Sequence, residues 1–188
     1  MNRIALLVVD LVNDFTQPTG IHHYGTTAEM MPRICDMIPR LRAKGVLIVY
    51  IQQVSAKDRF INPELKTRLS CVEGSGGELL DPRLPVDAGR DIIVRKSRFS
   101  AFFRTDLERI LMERGIEKVV VIGTKTNCCV RATATDACMR DYHTYLVSDC
   151  VSSNTAEISK AHLEDMAKYV AKVIDHRELL AMVESGAF

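Results

Sequence analysis

Residues 4–10 read Ile-Ala-Leu-Leu-Val-Val-Asp, six apolar residues in a row that meet an acid. A run this short and this continuously apolar fits a strand buried on both faces, because a half-buried strand would alternate. Runs of the same kind return at 46–51, 91–94, 118–122 and 144–147, with a sixth near 169–173. Segments of helical period lie between them. Residues 27–44 carry Ile34, Ile38 and Leu41 on one face and stop at Gly45, and Pro39 is expected to kink or split that helix. The Thr105-x-x-Glu108 spacing of a capping box opens a second helix, with Leu107, Ile110 and Leu111 before Gly115. Further helices are predicted over 127–140, 155–168 and 176–184. Strands that alternate with helices in this way define an α/β fold, with a mainly parallel sheet covered by helices on both faces.

One stretch breaks the rhythm. From 54 to 90 no period holds, and Gly74-Ser75-Gly76-Gly77 and three prolines (63, 82 and 85) interrupt it. An excursion of this length inside a compact domain reads either as a lid or oligomer contact, or as a plain surface loop. The chain has no internal repeat or linker and reads as one domain over 1–188.

Composition narrows the function. The 188 residues are 47% apolar and 26% charged with a formal net charge of +1, which suits a full hydrophobic core. This balance leaves no electrostatic footprint for nucleic acid or for an acidic membrane surface. The apolar runs fall far short of a membrane span, and the first run lacks the basic flank and cleavage site of a secretory signal. A cytoplasmic protein acting on a small molecule is expected. The six cysteines (35, 71, 128, 129, 138 and 150) include no C-x-x-C pair. Adjacent Cys128 and Cys129 are poorly placed to bridge each other, so the thiols read as free.

In an open parallel sheet, sites form beyond the carboxyl ends of the strands. The first strand ends at Asp10 in VVDLVNDF, with Asp14 as a competing acid beyond it. The strand at 91–94 runs into Arg95-Lys96 in IIVRKSRFSAFF. The strand at 118–122 runs into GTKTNCCV, which puts a cysteine at the start of a helix. Taken singly, each residue is a cap, a solvated lysine or a buried thiol. Together they supply chemistry. A helix start and a nearby ammonium favour a thiolate, a carboxylate can carry a proton to a leaving amine, and free amides can hold an oxyanion.

The segments VVDLVNDF, KSRFSAFF, GTKTNCCVRATATDA and SDCVSSNTAEISKAHLEDM, in this order, resemble the isochorismatase-like, or nicotinamidase-type, cysteine hydrolase superfamily over nearly the whole chain. The resemblance implies six strands in the order 3-2-1-4-5-6 and a triad of Asp10, Lys96 and Cys129. Cys129 is selected over Cys128 because it directly precedes the valine of a TNxCV-like motif. It also implies a cis peptide at Thr124-Lys125, the Lys125 and Cys129 amides as an oxyanion hole, and a homodimer or homotetramer. Asn13, Phe15, Gln53, Arg98, Phe99 and Phe102 are candidates for binding substrate, with at least one of Phe99, Phe102 and Phe103 assigned to the core instead.

Nicotinamidases of this superfamily carry an Asp-x-His metal motif after the second strand. Here residues 51–55 read Ile-Gln-Gln-Val-Ser, and His22-His23 has no carboxylate at ligand spacing, so no metal or other cofactor is expected. The resemblance therefore implies a C–N hydrolase of the N-carbamoylsarcosine, ureidoacrylate, biuret or maleamate type, working through a thioester. The FSAFF segment resembles the ureidoacrylate and isochorismatase branches. The rival readings are an enol-ether hydrolase of the isochorismatase kind, a nicotinamidase, and a redox or non-catalytic thiol protein.

Overall fold

The computed structural model describes residues 3–61, 63–64, 68–186 and 188. Of the aperiodic 54–90 stretch, residues 62 and 65–67 therefore lie outside the described residues. Six strands, β1 (Ile4–Val9), β2 (Leu47–Gln53), β3 (Ile92–Lys96), β4 (Lys118–Thr124), β5 (His143–Ser152) and β6 (Lys172–Ile174), form one sheet in the order β3-β2-β1-β4-β5-β6. Every pairing is parallel. The fold class and strand order are those read from the sequence.

The continuous apolar pattern of β1 has a direct cause. Its alternate residues serve two separate cores. Ile4, Leu6 and Val8 pack with Met30, Ile34, Met37 and Ile38 of α2 (Thr26–Ala43) and with Leu179 and Val183 of α6 (His176–Ser185). Ala5, Leu7 and Val9 pack on the other face. Their neighbours are Leu107 and Leu111 of α3 (Leu107–Glu113), Ala134 and Ala137 of α4 (Arg131–Cys138), and Met166 of α5 (Ala156–Tyr169). A short α1 (Asn13–Thr16) follows β1.

Three local expectations are corrected. α2 is not split at Pro39 and runs on through Pro32 as well. Seven of its residues are buried against the sheet, and that packing outweighs the amide bonds the two prolines cannot make. The capping box at Thr105 does not form. Thr105 Oγ1 accepts the Leu107 amide at 3.3 Å and donates to the Ala101 carbonyl at 2.5 Å, and α3 begins at Leu107. The segment predicted as one helix over 127–140 is a π-helical turn, Thr126–Val130, that passes into α4. The helix at 155–168 is present with Thr155 as its cap, its hydroxyl accepting the Ile158 amide.

The order of strands reverses between β1 and β4. At such a switch point the connections leave in opposite directions and open a crevice beyond the strand ends. β1 and β4 leave no room for a side chain there. Gly123, at φ 113°, pairs with Val9, and a Cβ at Gly123 would stand 2.0 Å from the Val9 carbonyl oxygen. Among the described residues, no helix is long and apolar enough to cross a membrane.

Candidate active site

Asp10 is the first residue beyond β1, and its amide still donates to the Ile51 carbonyl of β2 at 2.9 Å. Its backbone is left-handed, with φ 52°, a conformation that asparagine and aspartate tolerate better than most residues and that collects at functional sites. Lys96 ends β3, two strands away. The β2–β3 register puts Gln53 beside Lys96, and the lysine Nζ donates to Gln53 Oε1 at 2.9 Å and to the Arg98 carbonyl at 3.0 Å. From there Nζ reaches Asp10 Oδ2 at 2.7 Å, with both side chains wholly buried. Cys129 comes from the π-helical turn after β4, buried and close enough to Asp10 and Lys96 for their charges to act on its thiol. The three strand-end residues singled out in the sequence thus occupy one spot.

Charge is tightly coupled here. Burial pushes the Asp10 carboxyl above the usual carboxylate range, against the pull of Lys96. Burial opposes the charge on Lys96, but Asp10 and Cys129 more than offset it and hold the ammonium above its ordinary value. Both directions are compatible with an ion pair near neutrality. The thiol behaves differently from the sequence-based expectation. Burial and the Asp10 charge push Cys129 up, and Lys96 only partly counters them. Both causes favour the protonated thiol over the thiolate at rest. A carboxylate at its side raises its pKa, and that same carboxylate is placed to receive its proton.

The peptide at Thr124-Lys125 is cis. The Lys125 carbonyl accepts the amides of Cys128 (3.0 Å) and Val130 (3.1 Å) and passes over that of Cys129. The Lys125 ammonium lies 5.1 Å from the centre of the Tyr24 ring, and Tyr24 Oη is 2.9 Å from Thr124 Oγ1.

A cavity of about 280 Å³ opens onto Cys129. Phe15, Gln53 and Phe99 line it, as the sequence reading has them. Three other candidates do not. Asn13 donates to the Gly76 carbonyl at 2.9 Å and ties down the loop. The Arg98 guanidinium turns to the Ser97 carbonyl, so the residue meets the site through its own carbonyl. Phe102 is buried beside Tyr142 and Arg140, which makes it the core member of the three phenylalanines. Asp14, the competing acid, accepts the Cys71 amide at 2.6 Å and pins the excursion instead.

Sequence reasoning missed the opposite wall, which comes from the 54–90 stretch. Ser55, Arg59, Phe60 and Ile61 line the cavity on one side of the undescribed residues, and Arg68, Leu69 and Ser70 on the other. His22 joins them, its Nε2 3.0 Å from the Arg68 carbonyl. No period or motif marked these residues. A larger groove of about 490 Å³ between α2 and α5 touches none of Asp10, Lys96 or Cys129.

The donor set does not suit a metal. Among the described residues, no group of three or more His, Cys, Asp or Glu is placed to hold an ion, and Gln52 donates to the Glu78 carbonyl.

Comparison with known proteins places this geometry in a family. The family model described as the isochorismatase domain matches residues 4–178, and the chain belongs to that family of isochorismatase-like hydrolases. A probable inactive nicotinamidase of Arabidopsis thaliana is 28% identical over 170 residues, covering 86% of this chain and 87% of its own. Ureidoacrylate amidohydrolase RutB of Acinetobacter baylyi is 27% identical, over 92% of this chain and 80% of its own. Among solved structures, N-carbamoylsarcosine amidase from Thermoplasma acidophilum superposes with a TM-score of 0.80 at 29% identity, over 94% of this chain and 97% of that one.

Proposed function

We propose that the protein is a cysteine amidohydrolase that cleaves the C–N bond of a small amide or ureido substrate through a thioester, without a metal. One observation carries this reading: a buried thiol beside a buried carboxylate–ammonium pair whose charged atoms are 2.7 Å apart, on the lining of a cavity. Neither a binding module nor a redox thiol needs such a pair, and burying two charges costs desolvation energy that a catalytic role accounts for. The likeness to the amidohydrolase and the amidase above supports the same class of reaction.

The steps follow from the chain's own groups. Asp10 takes the Cys129 proton as the sulfur attacks the carbonyl carbon, and Lys96 holds the carboxylate in place. The oxyanion is received by the amides of Lys125 and Cys129. When the intermediate collapses, the C–N bond breaks and Asp10 returns its proton to the departing nitrogen, releasing ammonia. Water, deprotonated by the same Asp10, then opens the thioester and regenerates the thiol.

Ammonia release tests the reading, assayed with a chelator present on nicotinamide, N-carbamoylsarcosine, ureidoacrylate, biuret and maleamate. The expected result is chelator-resistant ammonia from a ureido or dicarboxylic member. The family match keeps a second reaction in play, hydrolysis of the enol ether of isochorismate. Pyruvate released from isochorismate by both the wild type and Cys129→Ala, with no ammonia from the panel, would replace the amidohydrolase reading with that one.

The charges at the site also set a pH profile. Asp10 must be ionised to accept the thiol proton, so kcat/KM falls as the pH drops through its pKa. Because burial raises that pKa, the acid limb should lie above the ordinary value of 3.8. Lys96, held above 10.5, stays charged throughout the neutral range. An acid limb at or below 3.8 in the kcat/KM profile would contradict Asp10 as the base.

A further inference from the structure

The cavity above Cys129 has an uneven charge. Among the described residues its lining includes Arg59, Arg68 and Lys125 and not one aspartate or glutamate. Lys125 is accounted for, with its ammonium against the face of Tyr24. Arg59 is not. Among the described residues its guanidinium makes one hydrogen bond, from Nη1 to Ser55 Oγ at 3.1 Å, and it forms no ion pair. Its Nε is buried with no partner. Arg98 lies near enough to add repulsion, and burial and that repulsion together pull the Arg59 pKa down. Several arginines held in part-buried positions have carboxylates. Arg42 is paired with Asp91 at 2.5 Å, Arg83 with Asp81 at 2.6 Å and Arg131 with Asp165 at 2.5 Å. A half-buried guanidinium with no carboxylate partner among the described residues, in a cavity whose described lining offers none, is electrostatically complete only with an anion.

We infer that Arg59, with Arg68 on the same cavity wall, binds a carboxylate carried by the substrate, so that the site selects amides or ureides bearing a free carboxylate over neutral ones. The inference rests on the amidohydrolase reading of this site and adds its substrate class. The remaining lining fits such a molecule. Gln53 and Ser55 supply polar contacts near the reacting end, and Phe15, Phe60 and Phe99 offer apolar faces for the short spacer between carbonyl and carboxylate. Arginine suits this task better than lysine, because its planar fork can meet both carboxylate oxygens. Arg59 is thus a specificity-determining residue, remote from the bond that breaks.

Two measurements test this, each with maleamate and N-carbamoylsarcosine set against their methyl esters. The first is the ratio of kcat/KM for ammonia release, acid over ester, in the wild type, Arg59→Lys and Arg59→Ala. The second is calorimetric binding of the same compounds to Cys129→Ala protein, with and without Arg59→Ala, which needs no turnover. A charged hydrogen-bonded contact predicts acids favoured about 10- to 100-fold. The preference should vanish in Arg59→Ala and survive in part in Arg59→Lys, with KM moving more than kcat. A merely structural arginine would instead lower acid and ester alike and lower the melting temperature. That outcome overturns the inference, as does equal binding of acid and ester in both pairs. The two claims fail separately. Ammonia from acids and esters alike leaves the amidohydrolase standing and removes the carboxylate site, whereas an acid preference in binding without any ammonia keeps the site and removes the reaction.

Discussion

Cys129→Ala lowers ammonia release by on the order of 10⁴-fold or more, and Cys129→Ser does nearly as much damage, while Cys128→Ala retains most of the activity. The two neighbouring thiols differ in their surroundings. Cys129 is buried and feels Asp10 and Lys96, which can take its proton and balance the charge left behind. Cys128 is half-buried and feels Lys125 rather than the Asp10–Lys96 pair. Alanine at 129 leaves Asp10 and Lys96 paired but removes the atom that forms the thioester. Serine keeps the size, yet its hydroxyl is a far weaker acid and a poorer nucleophile beside a base tuned for a thiol. Melting temperatures close to that of the wild type would show that these losses are chemical. Equal losses in Cys128→Ala and Cys129→Ala would leave the assignment of the nucleophile without support.

Gly123→Ala destabilises the fold by about 4 kcal/mol or more, placing it among the rare large effects of single substitutions. The added Cβ would sit 2.0 Å from the Val9 carbonyl oxygen, 2.8 Å from its carbon and 2.9 Å from its nitrogen. All three are backbone atoms of the central strand, so no side-chain rotation relieves the contact. The φ of 113° is also one that alanine rarely adopts. Relief requires β4 to move from β1 just where Asp10 follows one strand and Thr124-Lys125 ends the other, so activity falls with stability. For a chain of this size the melting temperature should drop by roughly 10 °C. Gly25→Ala is the contrast. Its backbone is already helical at φ −56°, and a Cβ there meets nothing within 4 Å. A melting temperature for Gly123→Ala within 2–3 °C of the wild type, on a scale of about 2–4 °C per kcal/mol, would show that β1 and β4 yield more easily than their contact implies.

What was legible in the sequence follows from where the physical constraints are local. β1 is apolar at every position because its two faces feed two cores, and that pattern needs no tertiary information. Asp10, Lys96 and Cys129 were readable because strand ends fix their position on one edge of the sheet. The choice between Cys128 and Cys129 was not physical at that stage and came from the resemblance. In the structure, depth of burial and the influence of Asp10 and Lys96 separate them.

Other features depend on partners far away in the chain. The cavity wall at Arg59 and Phe60 belongs to a segment without period, and only its return across the strand ends gives it a place. Phe102 and Phe99 stand three residues apart in one motif, yet one is buried beside Tyr142 and the other is 58% exposed at the cavity. Asp14 looked like a second acid for the site until its bond to the Cys71 amide showed it holding the loop. The thiol pKa was misread for a similar reason. Helix start and ammonium were visible in the sequence, whereas the depth of burial and the contact with Asp10 were not.

The central claim is that Cys129 carries the acyl group of the substrate, and rapid acid quenching followed by mass spectrometry reads it directly. During turnover of the best panel substrate, the account predicts that the peptide containing Cys129 gains the mass of the substrate less ammonia, and that the gain is discharged by water when substrate is exhausted. The Cys129→Ala protein should show neither the adduct nor the ammonia. Ammonia released at the wild-type rate by Cys129→Ala would contradict the account.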